Sequence, residues 1–412
     1  MNDENFTPAI TSKLALATIT GVTAVQVIAT MAMLIPAAIA PELARTLGLP
    51  VAMIGFQISL AYVGATVMSL AAGLVQRRLG AVRANQTAAF IIMTSLSIIA
   101  IPHVAALGIG TFGLGIAYGL TNPAAAHLMM KVATGANRNL IFSIKQTGQP
   151  LGGVVAGLVA PPIAVAFGWQ WSLLAGAGLA CVVMLAIQPL RPLMDGDRDP
   201  ATKFRGAVFK DVGLLLRMRN LRLLALCGLC LAAVQLALMG FAVAMLAEEI
   251  ELDLVTAGVG LAVIQVAGVI GRIGWGAVAD RVGDARRTLI VSQLISVAAG
   301  LATAILAPGM PLALIFGILF MFGMSAVGWN GVFMAEVARM APEGRTGSAT
   351  GGVLVPVFIG VMIGPVLFTG IHELLGVYTL SFAVLSGLTV AGIIPMLVIG
   401  RTAGKSPKPI QN

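Results

Sequence analysis

The sequence predicts an all-α membrane protein with twelve transmembrane helices in two pseudo-symmetric six-helix bundles. The first observation is composition: hydrophobic residues form 58% of the 412 residues, charged residues only 10%, and the mean hydropathy is +0.98. Counted with glycine and without tyrosine, about 69% of the residues are apolar, against roughly 45–50% in a soluble domain. The chain therefore lacks the polar surface that a soluble enzyme or a nucleic-acid-binding protein needs. Its three cysteines also argue against a disulfide scaffold.

The second observation is a series of long apolar stretches. A helix of roughly 20 apolar residues crosses about 30 Å of hydrocarbon, and the runs here are continuous rather than alternating, which excludes a transmembrane barrel. In chain order, spans one to twelve are predicted at residues 14–38, 51–75, 86–102, 105–130, 139–167, 171–190, 221–246, 254–279, 288–306, 310–337, 346–370 and 376–399.

The basic residues predict the orientation of these spans. If the connections after odd-numbered spans lie outside, Arg45 is the only one of 25 Lys and Arg residues in an outer connection. The positive-inside rule then places both termini in the cytoplasm. We expect a multi-pass protein of a bacterial inner membrane. The sequence pI of about 10.0 then reflects topology and anionic lipid headgroups, and no nucleic-acid partner is predicted.

The third observation is an internal repeat. A polar stretch at 191–220 divides the chain into an N-terminal bundle, 1–190, a cytoplasmic linker, 191–220, and a C-terminal bundle, 221–412. The connection after span two reads GLVQRRLGAVR, and the connection after span eight reads GAVADRVGDAR. Four residues of the first recur 203 positions later in the second: Gly73, Arg78, Gly80 and Arg83 recur as Gly276, Arg281, Gly283 and Arg286. A single offset between equivalent connections is typical of the parallel repeats found in many transporters.

The connection that carries Gly276, Asp280, Arg281 and Gly283 resembles the signature loop of the major facilitator superfamily. The resemblance covers essentially the whole chain and implies the major facilitator fold. In that family the loop aspartate latches the outward-open shape against a helix start in the opposite half. The resemblance implies gating roles for Gly276, Asp280, Arg281 and Gly283. It implies the same roles for their first-half counterparts, which are Gly73, Arg77, Arg78 and Gly80. Because Arg77 stands where the aspartate belongs, the first half is predicted to lack the latch.

Two cations lie deep within spans. Ionisable residues at such positions are costly and are functional by default. Lys145 and Arg272 each lie about 10–12 Å inside a span by the rise of a helix, and no carboxylate lies at that depth. Two deep cations predict a site for an anion. Two alternatives stay open: Lys145 snorkels to the headgroups, or Arg272 forms a structural hydrogen bond to helix carbonyls.

The stretch GRIGWG from Gly271 to Gly276 resembles the eighth helix of the monocarboxylate and oxalate/formate transporter branches. That resemblance implies that Arg272 binds a substrate carboxylate, which suits the two-pronged geometry of a guanidinium. The oxalate/formate branch adds a lysine on helix eleven. Because the repeat relates span eleven to span five, we infer that Lys145 is the second cation of the site.

Further polar residues lie at helical spacing in the spans, as the lining of a substrate pathway requires. Ordinary interhelical hydrogen bonds are the alternative role for each of them. The candidate substrate-binding residues, besides the two cations, are Gln26, Tyr62, Tyr118, Asn122, Gln149, Gln235, Gln265 and Asn330.

These observations predict a secondary active transporter that moves a small organic anion, expected to be a carboxylate, by alternating access. Transport is expected to be coupled either to protons or to the exchange of another anion. No cofactor, metal site, catalytic residue or enzyme activity is predicted, and we expect a monomer in contact with membrane lipid. One alternative is an efflux carrier of the same fold for drugs or other metabolites; lipophilic cations would need an acid within the membrane. A more distant alternative is a non-transporting membrane sensor, which would need a signalling domain.

Overall fold

The computed structural model describes residues 12–132, 138–201, 217–341 and 346–403, and every predicted span corresponds to helix within them. The helices of spans one to six are Ser12–Ala38, Gln57–Leu79, Ala81–Ile99, Val104–Val132, Arg138–Phe167 and Trp169–Ala186. Those of spans seven to twelve are Arg219–Ala244, Leu254–Val282, Ala285–Ala302, the pair Leu312–Ala326 and Asn330–Met340, Thr346–Leu375, and Tyr378–Ala403. The shorter elements are the helices Ala40–Leu47, Val51–Gly55 and Arg191–Met194, the 3₁₀ turns Gln188–Leu190 and Thr303–Ile305, and the π-helical turn Met245–Glu249.

The predicted fold class is confirmed. In the described part of the chain, eleven helical segments are long and apolar enough to cross a membrane. The remaining predicted span, span two, is a helix of 23 residues, Gln57–Leu79. Span ten is predicted as one continuous helix, but in the structure it is interrupted between Ala326 and Asn330.

The chain divides into two compact units. Unit one comprises Met1–Arg205 and Gly240–Gln265, and unit two comprises Gly206–Met239 and Val266–Asn412. The helices of spans seven and eight therefore each contribute to both units. The predicted domain boundary within the linker, 191–220, stays a prediction.

Within unit one, the helices of spans two and four and those of spans one and five are extensively packed. Glycine permits the closest approaches: a Cβ at Gly115 would overlap the carbonyl of Ala61, and a Cβ at Gly119 would crowd Ala65 one turn further on. Small residues let helices approach closely in lipid, where the burial of apolar surface does not drive helices to associate. In unit two, the rings of Phe322, Phe368 and Phe382 pack together.

The two repeated loops stabilise the helix that follows them in different ways. In unit two, Gly283 turns the chain with φ +67°. The side chain of Asp284 then caps the helix of span nine by accepting a hydrogen bond from the amide of Arg287 at 3.0 Å. In unit one, the repeat places Ala81 at the position of Asp284, and alanine has no side-chain oxygen to cap the helix of span three.

Asp195 supplies the missing cap in unit one. Its carboxylate is buried and accepts hydrogen bonds from the amides of Val82, at 2.8 Å, and Arg83, at 3.0 Å. A carboxylate is favourable at the positive end of a helix dipole. The turn before the helix is at Gly80, with φ +97°, where a Cβ would overlap the Asp195 carboxylate. The segment after span six thus fastens onto the start of span three.

Asp197 adds a second attachment for the same segment. Its carboxylate is 2.6 Å from Nζ of Lys131 and 2.7 Å from Nε2 of His127, both in the last turns of the helix of span four. Partial burial opposes ionisation, but the hydrogen bonds from Lys131 and His127 outweigh it and hold the pKa of Asp197 below its usual 3.8.

Replacing Asp195 with alanine is expected to lower the melting temperature of the purified protein. The substitution removes the cap of span three and leaves the buried amide of Val82 and the partly buried amide of Arg83 without this partner. A lost N-cap costs about 0.5–2 kcal/mol. The matched control is Asp199→Ala, since Asp199 lies in the same segment with an exposed side chain. Equal melting temperatures for the two variants would show that Asp195 does not fasten the segment.

Candidate functional site

Lys145 lies in the helix of span five with only 6% of its surface exposed. Its ammonium donates to Oδ1 of Asn122 at 2.7 Å and to Oε1 of Gln146 at 3.3 Å. The bond to Asn122 holds the ammonium against the helix of span four, inside unit one. The side chain is therefore not extended towards the headgroups in the way that snorkelling describes.

Tyr118 and Gln149 form a second contact one helical turn away from the first. Tyr118 precedes Asn122 by four residues and Gln149 follows Lys145 by four, so each pair shares a helix face. The amide nitrogen of Gln149 donates to the Tyr118 hydroxyl at 3.0 Å. The ring of Tyr62 packs on Tyr118 with centroids 5.7 Å apart. These residues form one polar cluster.

Gln26 and Gln265 pack against glycines of the span-five helix. The Cβ of Gln26 would be 2.9 Å from a Cβ at Gly148, and the side chain of Gln265 occupies the space that a Cβ at Gly153 would need. The two glutamines are 1% and 0% exposed. Seven of the predicted binding residues are thus in unit one, namely Gln26, Tyr62, Tyr118, Asn122, Lys145, Gln149 and Gln265.

The interruption of span ten organises the polar residues of unit two. The helix Leu312–Ala326 ends, and a new helix begins at Asn330. At this break Trp329 Nε1 donates to Oε1 of Gln235 at 2.9 Å, and Asn330 donates to the same oxygen at 3.4 Å. Non-helical backbone at membrane depth is tolerated where it is buried in protein or lines a cavity, so the break is a candidate functional feature.

Arg272 lies beside the same break. Its Nε donates to the carbonyl of Val327 at 3.4 Å, and the side chain is half-buried. Nearby, Trp275 Nε1 donates to the carbonyl of Met324 at 2.9 Å. A Cβ at Gly271 would overlap that carbonyl, so the helices of spans eight and ten are in close contact here. The structural alternative for Arg272, a bond to a backbone carbonyl, is met in part by this contact, because Val327 lies in the break between the two helices of span ten.

The predicted gating residues lie at the ends of the span-two and span-eight helices. Their roles stay predictions. Asp280 and Arg281 are exposed in the last turn of Leu254–Val282, as Arg77 and Arg78 are in the last turn of Gln57–Leu79. Gly283 and Gly80 follow these helices with positive φ, whereas Gly276 and Gly73 lie within them.

The family model described as Major Facilitator Superfamily matches residues 22–355, which is most of the sequence. The chain belongs to this superfamily. It is therefore a multi-pass membrane transporter, not an enzyme, and its substrate is a small molecule. No protein of curated function matches the sequence.

Several solved structures share the fold of this transporter. A bacterial homologue of the human lysosomal transporter Spinster is 14% identical with a TM-score of 0.74, over 97% of this chain and 100% of that one. A mutant of the nucleoside transporter NupG is 16% identical with a TM-score of 0.75, over 94% and 99%. The peptide transporter POT in complex with sulfate is 13% identical with a TM-score of 0.73, over 94% of both chains. At these identities the likeness shows the fold alone.

Two features of the structure were not predicted from the sequence. Helical periodicity cannot reveal the interruption of span ten, although Gly328 lies within it and Gly323 one turn before it. The capping role of Asp195 depends on a contact 113 residues away in the chain. The sequence feature that could have indicated this role is the series of three aspartates at alternate positions, Asp195, Asp197 and Asp199, after span six.

Proposed function

We propose that this transporter moves a small organic anion, of the carboxylate class, by secondary active transport with alternating access. Coupling is to protons or to an exchanged anion. The observation that carries the proposal is the buried ammonium of Lys145, which lies within a membrane span and contacts neutral amide oxygens of Asn122 and Gln146.

A buried cation is costly, and a bound anion offsets that cost. Charge in a membrane span is retained mainly for function, and a charge-assisted hydrogen bond contributes about 1.5–3 kcal/mol. Tyr118 and Gln149, one turn from Lys145, offer neutral hydrogen-bonding groups that would orient a carboxylate beside the ammonium. The cluster therefore combines one positive charge with the polar groups that a small organic acid needs.

Arg272 is the second candidate for anion binding. It lies beside the interruption of span ten, close to the carbonyl of Val327. Interrupted helices occur at the substrate sites of many transporters. A guanidinium can form two parallel bonds to a carboxylate, so Arg272 is a candidate to bind a carboxylate in unit two.

The proposed function is tested by transport into liposomes that contain the purified protein. With an inward proton gradient or a load of unlabelled anion, we expect uptake of radiolabelled carboxylates such as lactate, succinate or gluconate. The two driving forces distinguish proton coupling from exchange. Transport of a lipophilic cation such as tetraphenylphosphonium, with no transport of any carboxylate, would favour the efflux alternative.

We further propose that the protein is a monomer in a bacterial inner membrane with both termini in the cytoplasm. In a variant without the three native cysteines, single cysteines at Glu42 and Glu249 are expected to react with an impermeant maleimide in intact cells. A cysteine at Lys203, in the linker, is expected to react only after lysis. Labelling at Lys203 in intact cells would contradict the orientation.

A further inference from the structure

Six buried polar atoms on spans one and eight have no hydrogen-bond partner in the described part of unit one. Four are the amide nitrogen and oxygen of Gln26 and of Gln265, and two are the hydroxyls of Thr23 and Thr30. Thr23, Gln26 and Thr30 follow one another at steps of three and four residues, so they share one face of the span-one helix. Buried polar groups in native proteins are nearly always paired, so this cluster requires an explanation.

Gln26 and Gln265 differ from the other buried carboxamides in the described part of unit one, because both of their amide atoms are unpaired. Asn85 and Gln86 each have an unpaired amide oxygen, but their amide nitrogens donate to the carbonyl of Ala81 and to Oε1 of Gln188. In span two, Thr66 and Ser69 donate to the carbonyls of Tyr62 and Ala65 in their own helix. Gln57 is also buried, yet its amide nitrogen donates to the carbonyl of Met33 at 3.0 Å. Its amide oxygen accepts from Thr111 at 3.3 Å.

The residues with unpaired atoms pack against the helix that carries Lys145, within eight residues of it. Gln26 lies against Gly148, and Thr30 lies 2.9 Å from a Cβ at Gly152. Gln265 lies against Gly153, eight residues after Lys145 and about 12 Å further along the helix axis. A carboxamide has both a hydrogen-bond donor and an acceptor. A hydroxyl or amide group of a ligand can pair with both, whereas a carboxylate can pair only with the donor.

Building on the proposed function, we propose that the substrate is an organic acid that carries hydroxyl or amide groups along its chain, and that Gln26 and Gln265 bind those groups. Lys145 then binds the carboxylate. A plain aliphatic acid would leave both carboxamides buried and unpaired. A site built to bond a hydroxyl rejects the analogue that lacks it strongly, so the glutamines determine specificity.

The binding test uses three six-carbon probes: gluconate, with a carboxylate and hydroxyls; hexanoate, with the carboxylate only; and sorbitol, with hydroxyls only. Equilibrium binding to the full-length protein in detergent is expected to be at least about 10-fold tighter for gluconate than for hexanoate. Gln26→Leu and Gln265→Leu are each expected to remove most of this preference by lowering the affinity for gluconate.

The probes separate failure of this inference from failure of the proposed function. Hexanoate binding as tightly as gluconate, with Lys145→Met weakening both, would overturn the inference and leave the anion proposal standing. Sorbitol binding as tightly as gluconate would overturn the anion proposal. In that case, loss of sorbitol affinity in the glutamine variants would still support their specificity role.

A stability test distinguishes a substrate-binding role of the two glutamines from a structural role without any ligand. If the two glutamines are reserved for substrate, leucine removes unpaired polar groups, so Gln26→Leu and Gln265→Leu are expected to keep or raise the melting temperature. The control Gln57→Leu breaks a paired network and is expected to lower it by about 2–4 °C or more. A fall of similar size in all three variants would identify the glutamines as structural and overturn the inference, whatever the probes bind.

Discussion

Lys145→Met is expected to weaken the binding of every organic anion that the wild-type protein binds by about 10- to 150-fold. The range follows from the loss of a charge-assisted hydrogen bond, about 1.5–3 kcal/mol. Methionine keeps much of the length and volume of lysine while removing the charge. Since a buried charge is costly in a membrane span, the variant is expected to fold and to melt no lower than the wild type. Titration calorimetry on purified protein measures the affinity.

The control for this prediction is Lys131→Met. Lys131 lies at the end of the span-four helix and binds Asp197, away from the polar cluster around Lys145. Its loss is expected to reduce stability and leave anion affinity unchanged. If Lys145→Met binds anions with wild-type affinity, the ammonium of Lys145 is a structural feature and the anion site lies elsewhere.

Arg272→Lys is expected to reduce anion affinity by roughly the same factor, even though the positive charge is kept. Lysine cannot reproduce the two parallel hydrogen bonds that a guanidinium makes to a carboxylate. The opposing interpretation is that Arg272 serves only to bond the carbonyl of Val327 across spans eight and ten. In that case the substitution lowers the melting temperature and leaves affinity unchanged.

Trp275→Phe is the matched control for Arg272→Lys. Trp275 lies three residues further along the same helix and also bonds a carbonyl of span ten, that of Met324. Phenylalanine removes this bond without changing charge. We expect Trp275→Phe to affect stability and not affinity. If Trp275→Phe and Arg272→Lys show the same pattern of effects, Arg272 has a structural role.

Much of the fold could be predicted from the sequence because lipid imposes simple rules. A spanning segment has to satisfy its own backbone hydrogen bonds, so long apolar runs become helices. For example, the runs at 105–130 and 254–279 are the helices Val104–Val132 and Leu254–Val282. Where local backbone geometry decides, the prediction was less complete: span ten is broken at Val327–Trp329, although hydropathy continues through it.

The candidate site could be predicted in part. Helical spacing groups Tyr118 with Asn122 and Lys145 with Gln149, since residues four apart share a helix face. Which face meets which depends on tertiary packing. The bond between Lys145 and Asn122 and the isolation of the Gln265 amide therefore appear only in the structure. The role of Asp195 was hidden for the same reason, because its partners are distant in sequence.

The measurement that tests the anion site most directly is a thermal-shift screen of wild-type and Lys145→Met protein at constant ionic strength. The ligands are matched pairs, each an organic acid and its neutral analogue, together with lipophilic cations. A ligand raises the melting temperature according to its concentration relative to its dissociation constant. We predict stabilisation of the wild type by at least one acid but not by its neutral analogue, and loss of that stabilisation in Lys145→Met. Stabilisation by lipophilic cations alone, or equal stabilisation of both proteins by the acid, would contradict the anion site.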